Sequence, residues 1–246
     1  MIISALQEPD SILKKYHGLG IQPLIWIYQP WIDPGDEQQA DVIRLKRRIE
    51  EVVPEGYGGY IGLNWEKSFI SSLHNYSLNG RAWKMAVKEG NKALDVVRAS
   101  RPDSKAGLYN PMRRCPWWAS SESKVLTWHE DSRQTLQHLK HDFVAVQCYQ
   151  TMLDRDWELE SAAAALCLAG EYHGIVLGMD RLHTAPVPGA GASVKLRSQD
   201  DYRVWASAMV GCGATISPWT PDVFARRPNH ARNCDRYYGV ISEVVT

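Results

Sequence analysis

A carboxyl group, an indole and an amide close the run Gly59-Tyr60-Ile61-Gly62-Leu63-Asn64-Trp65-Glu66, which the glycines of Gly56-Tyr57-Gly58-Gly59 open. A short apolar run of this kind, bounded by glycine, reads as a buried strand. Side chains alternate along a strand, so Asn64 and Glu66 share one face and Trp65 takes the other. In a parallel α/β fold, polar groups at the carboxyl end of a strand enter the ligand crevice. A carboxyl beside an amide in that place suits acid/base work; the alternative is a polar pair that merely closes a strand at the surface. Glu66 and Asp180 are the two carboxylates best placed for catalysis, each at the end of an apolar run. Aromatic neighbours exclude water from a carboxyl and raise its pKa, which makes a general acid at neutral pH. Carboxyls in an aromatic cleft are what glycosidic bond cleavage requires.

The composition agrees with such a cleft. Ten Trp and eleven Tyr stand against three Phe. Trp and Tyr combine a flat apolar face with a polar edge, which suits stacking on sugar rings, although core packing accounts for some of them. Lys plus Arg equals Asp plus Glu at 28 each, so the formal net charge is zero. That balance argues against nucleic acid or an anionic membrane as partner. No apolar run approaches the ~18–20 residues that span a bilayer. Met1-Ile2-Ile3-Ser4 lacks the basic segment and long apolar stretch of a signal peptide. The expectation is a cytoplasmic protein if the chain is complete, and a secreted one if a leader has been removed. Five scattered cysteines without a CxxC pair suggest free thiols, with Cys148 and Cys212 beside apolar runs as buried ones. His138 and His141 lack a partner carboxylate motif and read as surface residues, not metal ligands. No P-loop, GxSxG or HExxH appears, so no metal or cofactor is expected.

The elements that must position these groups alternate along the chain. Strands are expected at 2–5, Gln22–Tyr28, 59–66, Lys105–Asn110, Phe143–Gln150, Gly174–Arg181 and Gly213–Trp219. Helices are expected at Ser11–His17, Asp36–Val53, Gly80–Ser100, Asp131–Lys140, Trp157–Glu171, Ser198–Gly211 and Arg232–Val245. In the helix at Asp36–Val53 the apolar positions are Ala40, Ile43, Leu45, Ile49, Val52 and Val53, with Lys46-Arg47-Arg48 on a solvated outer face. Ser68–Asn79 is a partly helical connection, and Pro30 and Pro34 hold the loop around Trp31 open. The loop with Pro186, Pro188, Gly189 and Gly191 has the composition of a lid.

Unbroken alternation argues for a parallel sheet. Two features favour a TIM-like (β/α) barrel, with seven strands as readily as eight, over an open doubly wound sheet. No GxGxxG follows a strand. Polar or aromatic groups also end nearly every strand: Tyr28, Glu66, Tyr109, Gln147, Tyr149, Asp180 and Trp219. A barrel draws its site from many strand ends, whereas an open sheet concentrates it at one switch point. The reading is one domain over 1–246 with these residues around one mouth. Tyr109, Asn110, Gln147 and Tyr149 offer neutral hydrogen bonds to hydroxyl and acetamido groups, or else cap the barrel rim.

The strand ending Gly62-Leu63-Asn64-Trp65-Glu66 resembles the hyaluronidase family, whose corresponding strand ends Asp-Trp-Glu. Four further segments fall in the same order: Gly107-Leu108-Tyr109-Asn110 after Arg101-Pro102, Phe143 to Tyr149, Gly174 to Arg181, and Gly213 to Trp219. The resemblance spans roughly residues 57–220. It implies a distorted barrel that cleaves N-acetylhexosamine polymers internally with retention. In that scheme the Glu is acid/base and the substrate's own acetamido group attacks the anomeric carbon. Carried over, Glu66 becomes the acid/base, and Tyr149 and Trp219 hold the sugar. Tyr28, Trp65, Tyr109, Asn110, Gln147 and Arg181 complete the candidate binding set.

The departure is Asn64, where the family has Asp. A carboxylate stabilises the positive charge that develops on the acetamido group, whereas an amide offers only a dipole. A slow enzyme, one that uses Asp180, and a catalytically silent carbohydrate-binding barrel all remain open. The missing basic groove disfavours hyaluronan itself. A barrel acting on phosphorylated metabolites is a third reading, for which Gly211-Cys212-Gly213 is a weak phosphate loop. From the odd, unpatterned cysteines, the melting temperature is expected to be the same with and without reductant and chelator; a large loss with either would contradict it.

Overall fold

The computed structural model describes residues 2–4, 24–27, 32–33, 36–64, 78–109, 111, 132–148, 175–178, 203, 207, 211, 215–218 and 243. Side chains are described at 24–27, 39–64, 78–109, 111, 132–144, 203, 207, 211 and 243. Nine strands lie among these residues: β1 Ile2–Ser4, β2 Leu24–Ile27, β3 Ile32–Asp33, β4 Asp36–Ala40, β5 Tyr60–Leu63, β6 Lys105–Tyr109, β7 Phe143–Cys148, β8 Ile175–Gly178 and β9 Thr215–Pro218. All of the expected sheet strands are present within a few residues of their expected ends. The helices are α1 Val42–Val52, α2 Arg81–Ser100 and a shorter α3 at 132–138. Arg203, Ser207, Gly211 and Glu243 are helical, and Arg203 pairs with Glu243 at 2.8 Å. The expected helices at 11–17 and 157–171, and the loop at 186–191, lie outside the described residues.

Seven strands form one sheet in the order β1-β2-β5-β6-β7-β8-β9, and every neighbouring pair is parallel. Each strand adds beside its predecessor in the sheet, so the order never reverses. A doubly wound sheet requires such a reversal, because that is where its ligand crevice opens. A sheet that grows in one direction is instead the ordering from which a (β/α) barrel is built.

The region after β2 differs from the sequence expectation. Asp36–Ala40 is a strand, paired antiparallel with Ile32–Asp33, not the first turn of a helix. Pro34-Gly35 between two aspartates is a turn signal that the helical reading passed over. Helix α1 starts at Val42 because the Asp41 carboxylate accepts the Arg44 N–H at 2.9 Å and so caps it. Leu45, Ile49 and Val52 recur at helical spacing and are buried. Ile43, expected on the inner face, is 80% exposed. Two residues before Leu45 is about 200° around an α-helix, so the two side chains face opposite ways. The outer face is mixed in sign, since Lys46 and Arg47 pair with Glu50 and Glu51.

The core lies between one face of the sheet and the two long helices. Ile25, Ile27, Ile61, Leu63, Ala106 and Leu108 face Leu45 and Ile49 of α1 and Trp83, Ala86, Ala93, Leu94 and Val97 of α2. Helix α3 docks on α2 through polar contacts. The Trp83 indole N–H donates to Thr135 Oγ1 at 3.2 Å. Asn91 donates to the His138 carbonyl at 2.9 Å and accepts the Lys140 N–H at 2.6 Å.

One buried charge ties the hairpin to this core. Glu89 on α2 is 4% exposed, and its Oε2 accepts the Ala40 N–H at 3.0 Å and the Lys92 ammonium at 3.1 Å. Lys92 also donates to the Ala40 carbonyl at 3.2 Å. The pair thus satisfies both backbone groups of Ala40 at the junction of β4 and α1. Truncating Glu89 leaves a buried N–H without its acceptor, which costs about 1–3 kcal/mol. Glu89→Ala is therefore expected to lower the urea midpoint clearly, and Glu89→Gln, which keeps an acceptor for the Ala40 N–H, to lower it less. Equal midpoints for Glu89→Ala and wild type would contradict the tie.

Candidate active site

The second face of the sheet is built differently from the aliphatic one. Register places Trp26 opposite Gly62, Gly62 opposite Gly107, and Gly107 opposite Phe143. A Cβ at Gly62 would lie 2.4 Å from two carbons of the Trp26 indole, and one at Gly107 would lie 2.5 Å from the Phe143 ring. Both flanking rings therefore lie over the glycines, on the face away from α1 and α2. A glycine inside a strand marks this kind of close approach. One layer nearer the amino ends, Tyr60 meets Phe143 edge to face at 5.2 Å, with the Lys105 ammonium 5.2 Å from the Tyr60 ring centre. One layer nearer the carboxyl ends, Tyr109 meets Trp26 edge to face, with centroids 5.3 Å apart and planes at 88°.

Asn64 follows directly on β5, and its N–H continues the ladder to the Ile27 carbonyl at 2.9 Å. Two residues past Gly62, alternation assigns it to the aromatic face. Leu63 is opposite Leu108, so Asn64 is the neighbour of Tyr109 across the next step of the register. Both are buried, at 4% and 7% exposure. An amide and a phenol at the carboxyl end of adjacent parallel strands are neutral hydrogen-bonding groups, each able to donate and to accept. They can orient hydroxyl or acetamido groups, but neither supplies a charge.

Of the expected site residues, then, the structure brings Asn64 and Tyr109 together. Gln147 lies in β7 opposite Leu177, one residue before the strand's end. Tyr28, Trp65, Glu66, Asn110, Tyr149, Asp180, Arg181 and Trp219 lie outside the described residues. Trp26 is the contributor that sequence reasoning missed. Its signal was available: a glycine in mid-strand at position 62 needs a neighbour that fills its place.

His138 and His141 have local roles. His138 Nδ1 lies 2.8 Å from the Gln134 carbonyl and its ring packs edge-on against Trp83 at 5.1 Å; His141 Nδ1 lies 2.9 Å from the Leu139 carbonyl. Among the described residues no three His, Cys, Asp or Glu side chains are grouped to hold a metal, and no helix is long and apolar enough to cross a membrane. A cleft of about 760 Å³ opens at the opposite end of the sheet, lined by residues 50–57 and 100–103. There the Arg101 guanidinium donates to the carbonyls of Val53, Pro54 and Ser100. That cleft adjoins the amino ends of β5 and β6, the end of such folds associated with stability and not with chemistry.

No family model matches the sequence, and no curated protein does either. Solved structures do match the fold. Bee venom hyaluronidase superposes with a TM-score of 0.58 at 9% identity, over 99% of this chain and 98% of that one. The same enzyme in complex with a hyaluronic acid tetramer gives 0.59 at 11% identity, over 100% and 99%. The 3-keto-D-glucoside 4-epimerase of E. coli gives 0.50 at 15% identity, over 96% and 84%. At these identities the likeness is one of fold: this chain has a parallel sheet, and the structures it resembles are TIM-barrel enzymes.

Proposed function

We propose that this protein is a glycoside hydrolase that cleaves an oligo- or polysaccharide containing N-acetylhexosamine, with Glu66 as general acid/base. The observation that carries the reading is the position of Asn64. It is buried at the carboxyl end of β5 beside Tyr109, on the aromatic face, in a chain that shares its fold with bee venom hyaluronidase. Glu66 is two residues further along the sequence. In this reading the seven-stranded sheet curls into a single barrel over residues 1–246, and Tyr28, Trp65, Tyr109, Asn110, Gln147, Tyr149, Arg181 and Trp219 line its mouth.

The chemistry follows from the groups. Glu66, protonated in the free enzyme, gives its proton to the leaving glycosidic oxygen. The substrate's acetamido oxygen attacks the anomeric carbon as that bond breaks, and Glu66 as carboxylate then takes a proton from the incoming water. Asn64 and Tyr109 orient the acetamido group by hydrogen bonds. Asp180 is the carboxylate that supplies a negative charge if the amide at position 64 does not suffice.

The neutral amide supports a second reading, a barrel that binds carbohydrate without cleaving it. Stabilisation of developing charge is usually a large part of catalysis, and Asn64 brings a dipole in place of a charge. The epimerase neighbour also illustrates that related folds host different sugar chemistry.

Three variants separate these readings, assayed with hyaluronan and with N-acetylglucosamine tetramers as substrates. Glu66→Gln keeps the shape and removes the proton donor, so turnover is expected to fall by about 10²–10⁴-fold while binding survives. Asn64→Asp is expected to raise or preserve turnover of N-acetylated substrates if the acetamido group participates. If Asp180 is the working base or nucleophile, Asn64→Asp does little or harm and Asp180→Asn abolishes turnover. Unchanged activity in Glu66→Gln would end the assignment to this site. Binding without turnover by wild type would select the silent barrel.

A further inference from the structure

We propose that Trp26 is a positioning residue of the candidate site, acting through Tyr109, and that Gly62 is what allows it to act. Trp26 is buried in the layer of Gly62 and Gly107, one layer beneath Asn64 and Tyr109, so it acts on the site through them. Its indole lies where a side chain at position 62 would project, with two ring carbons 2.4 Å from the place of a Cβ. Any residue other than glycine at 62 displaces it. From that seat it meets the Tyr109 ring at 88° and 5.3 Å.

An edge-to-face contact fixes the plane of a ring in a way that an aliphatic neighbour does not, because the ring quadrupoles favour the perpendicular arrangement. Tyr109 is 7% exposed, so what it presents beyond the aromatic layer is small, and because a phenol O–H lies in the plane of its ring, that plane sets the direction in which it donates. Across the register that small part stands beside Asn64, the residue on which the proposed chemistry turns. The chain of contact thus runs from an absent side chain on β5 through an indole on β2 to a phenol on β6. What Tyr109 binds rests on the carbohydrate reading above. The Gly62–Trp26–Tyr109 coupling is a property of the fold and is measurable without any ligand.

The test uses Trp26→Leu, Trp26→Phe, Gly62→Ala and the double variant Gly62→Ala/Trp26→Phe, each checked for folding by its melting curve. In protein labelled at tyrosine ring carbons, the Tyr109 resonance is identified by its loss in Tyr109→Phe. That resonance is expected to move in Trp26→Leu and in Gly62→Ala, and to stay close to its wild-type position in Trp26→Phe. Gly62→Ala should perturb it less in the Trp26→Phe background, where the smaller ring leaves room for the methyl. With the N-acetylglucosamine tetramer, Trp26→Leu is expected to lower kcat by about 10²-fold, the scale of a misplaced group, with a smaller change in KM. If wild type binds the tetramer without cleaving it, the expected change is a rise in Kd of about 2- to 10-fold, the worth of one aromatic pair.

A folded Trp26→Leu that shifts the Tyr109 resonance no further than loss of the indole ring current requires, and that leaves kcat or Kd for the tetramer at the wild-type value, overturns the inference. If Trp26→Leu does not fold, equal effects of Gly62→Ala in the wild-type and Trp26→Phe backgrounds overturn it instead. A wild type that neither binds nor cleaves the hyaluronan or N-acetylglucosamine substrates ends the carbohydrate reading, and the resonance then still decides the coupling.

Discussion

Two glycines side by side on neighbouring strands are the constraint on which the aromatic face of the sheet depends. Gly62 and Gly107 face each other in register, and the rings of Trp26 and Phe143 close over them from the strands on either side. One layer of the sheet is thus filled by two large rings instead of four medium side chains. Rings in a close-packed layer do not slide, because their neighbours leave no space to move into. The layer above inherits that rigidity, and Asn64 and Tyr109 belong to it. The opposite face needs no such device. It meets helices, and Ile, Leu and Val fill the space between regular surfaces without any special backbone approach.

The two ends of the sheet also differ in what holds them. At the amino ends the loops are tied by charge-assisted and backbone hydrogen bonds. Arg101 gathers the carbonyls of Val53, Pro54 and Ser100. Asp142 accepts the Ala106 N–H at 2.8 Å, returns its own N–H to the Ala106 carbonyl at 2.8 Å, and pairs with Arg98 at 3.1 Å, which locks β6 to β7 before their ladder starts. Ser104 donates to the Tyr57 carbonyl at 2.6 Å and Lys105 to the Gly59 carbonyl at 2.9 Å. These ties occupy polar groups with one another, so the 760 Å³ cleft there is a place where loops are fastened. Asn64 and Tyr109, at the other end, stand where a parallel α/β fold keeps its chemistry.

The seven sheet strands and helix α2 were legible because their signals are local. Short apolar runs bounded by glycine or polar residues mark the strands, and apolar residues at helical spacing from Trp83 to Val97 mark the helix. Of the β3–β4 hairpin only the Pro34-Gly35 turn signal was legible, since Asp36-Glu37-Gln38-Gln39 has no strand composition. It is held from outside, by a glutamate 49 residues away whose carboxylate takes the Ala40 N–H. Ile43 was misplaced because a single apolar residue at the start of a helix says nothing until the cap sets its phase. Asp41 sets that phase through its bond to the Arg44 N–H. In the candidate site, the step from Gly62 to Asn64 can be counted along one segment. Trp26 was not legible from its own segment, where Leu24-Ile25-Trp26-Ile27 reads as four core residues. Its role depends on a residue missing from another strand, and pairing between strands is not visible in a single stretch.

The amide at position 64 is where fold and activity part. A carboxylate at a site only 4% exposed is costly in the free protein, since burial penalises the charged form unless a partner charge is in place. In acetamido participation that partner is the positive charge on the substrate, and it exists only as the bond breaks. An aspartate there would be destabilising between turnovers and stabilising during them, which is what catalysis by differential binding asks of a residue. An asparagine of the same shape carries no such burial penalty and provides less at the transition state. Sites that give up transition-state charge commonly gain stability in return. The residue at 64 is therefore consistent with a binding role as it stands, and a hydrolytic role requires the missing charge to come from another residue. Glycines, rings and aliphatic layers carry the fold that this chain shares with a hyaluronidase at 9–11% identity. In the proposed mechanism the charge that meets the acetamido group turns on one oxygen or nitrogen at the end of β5, and that atom can change while every layer beneath it stays in place.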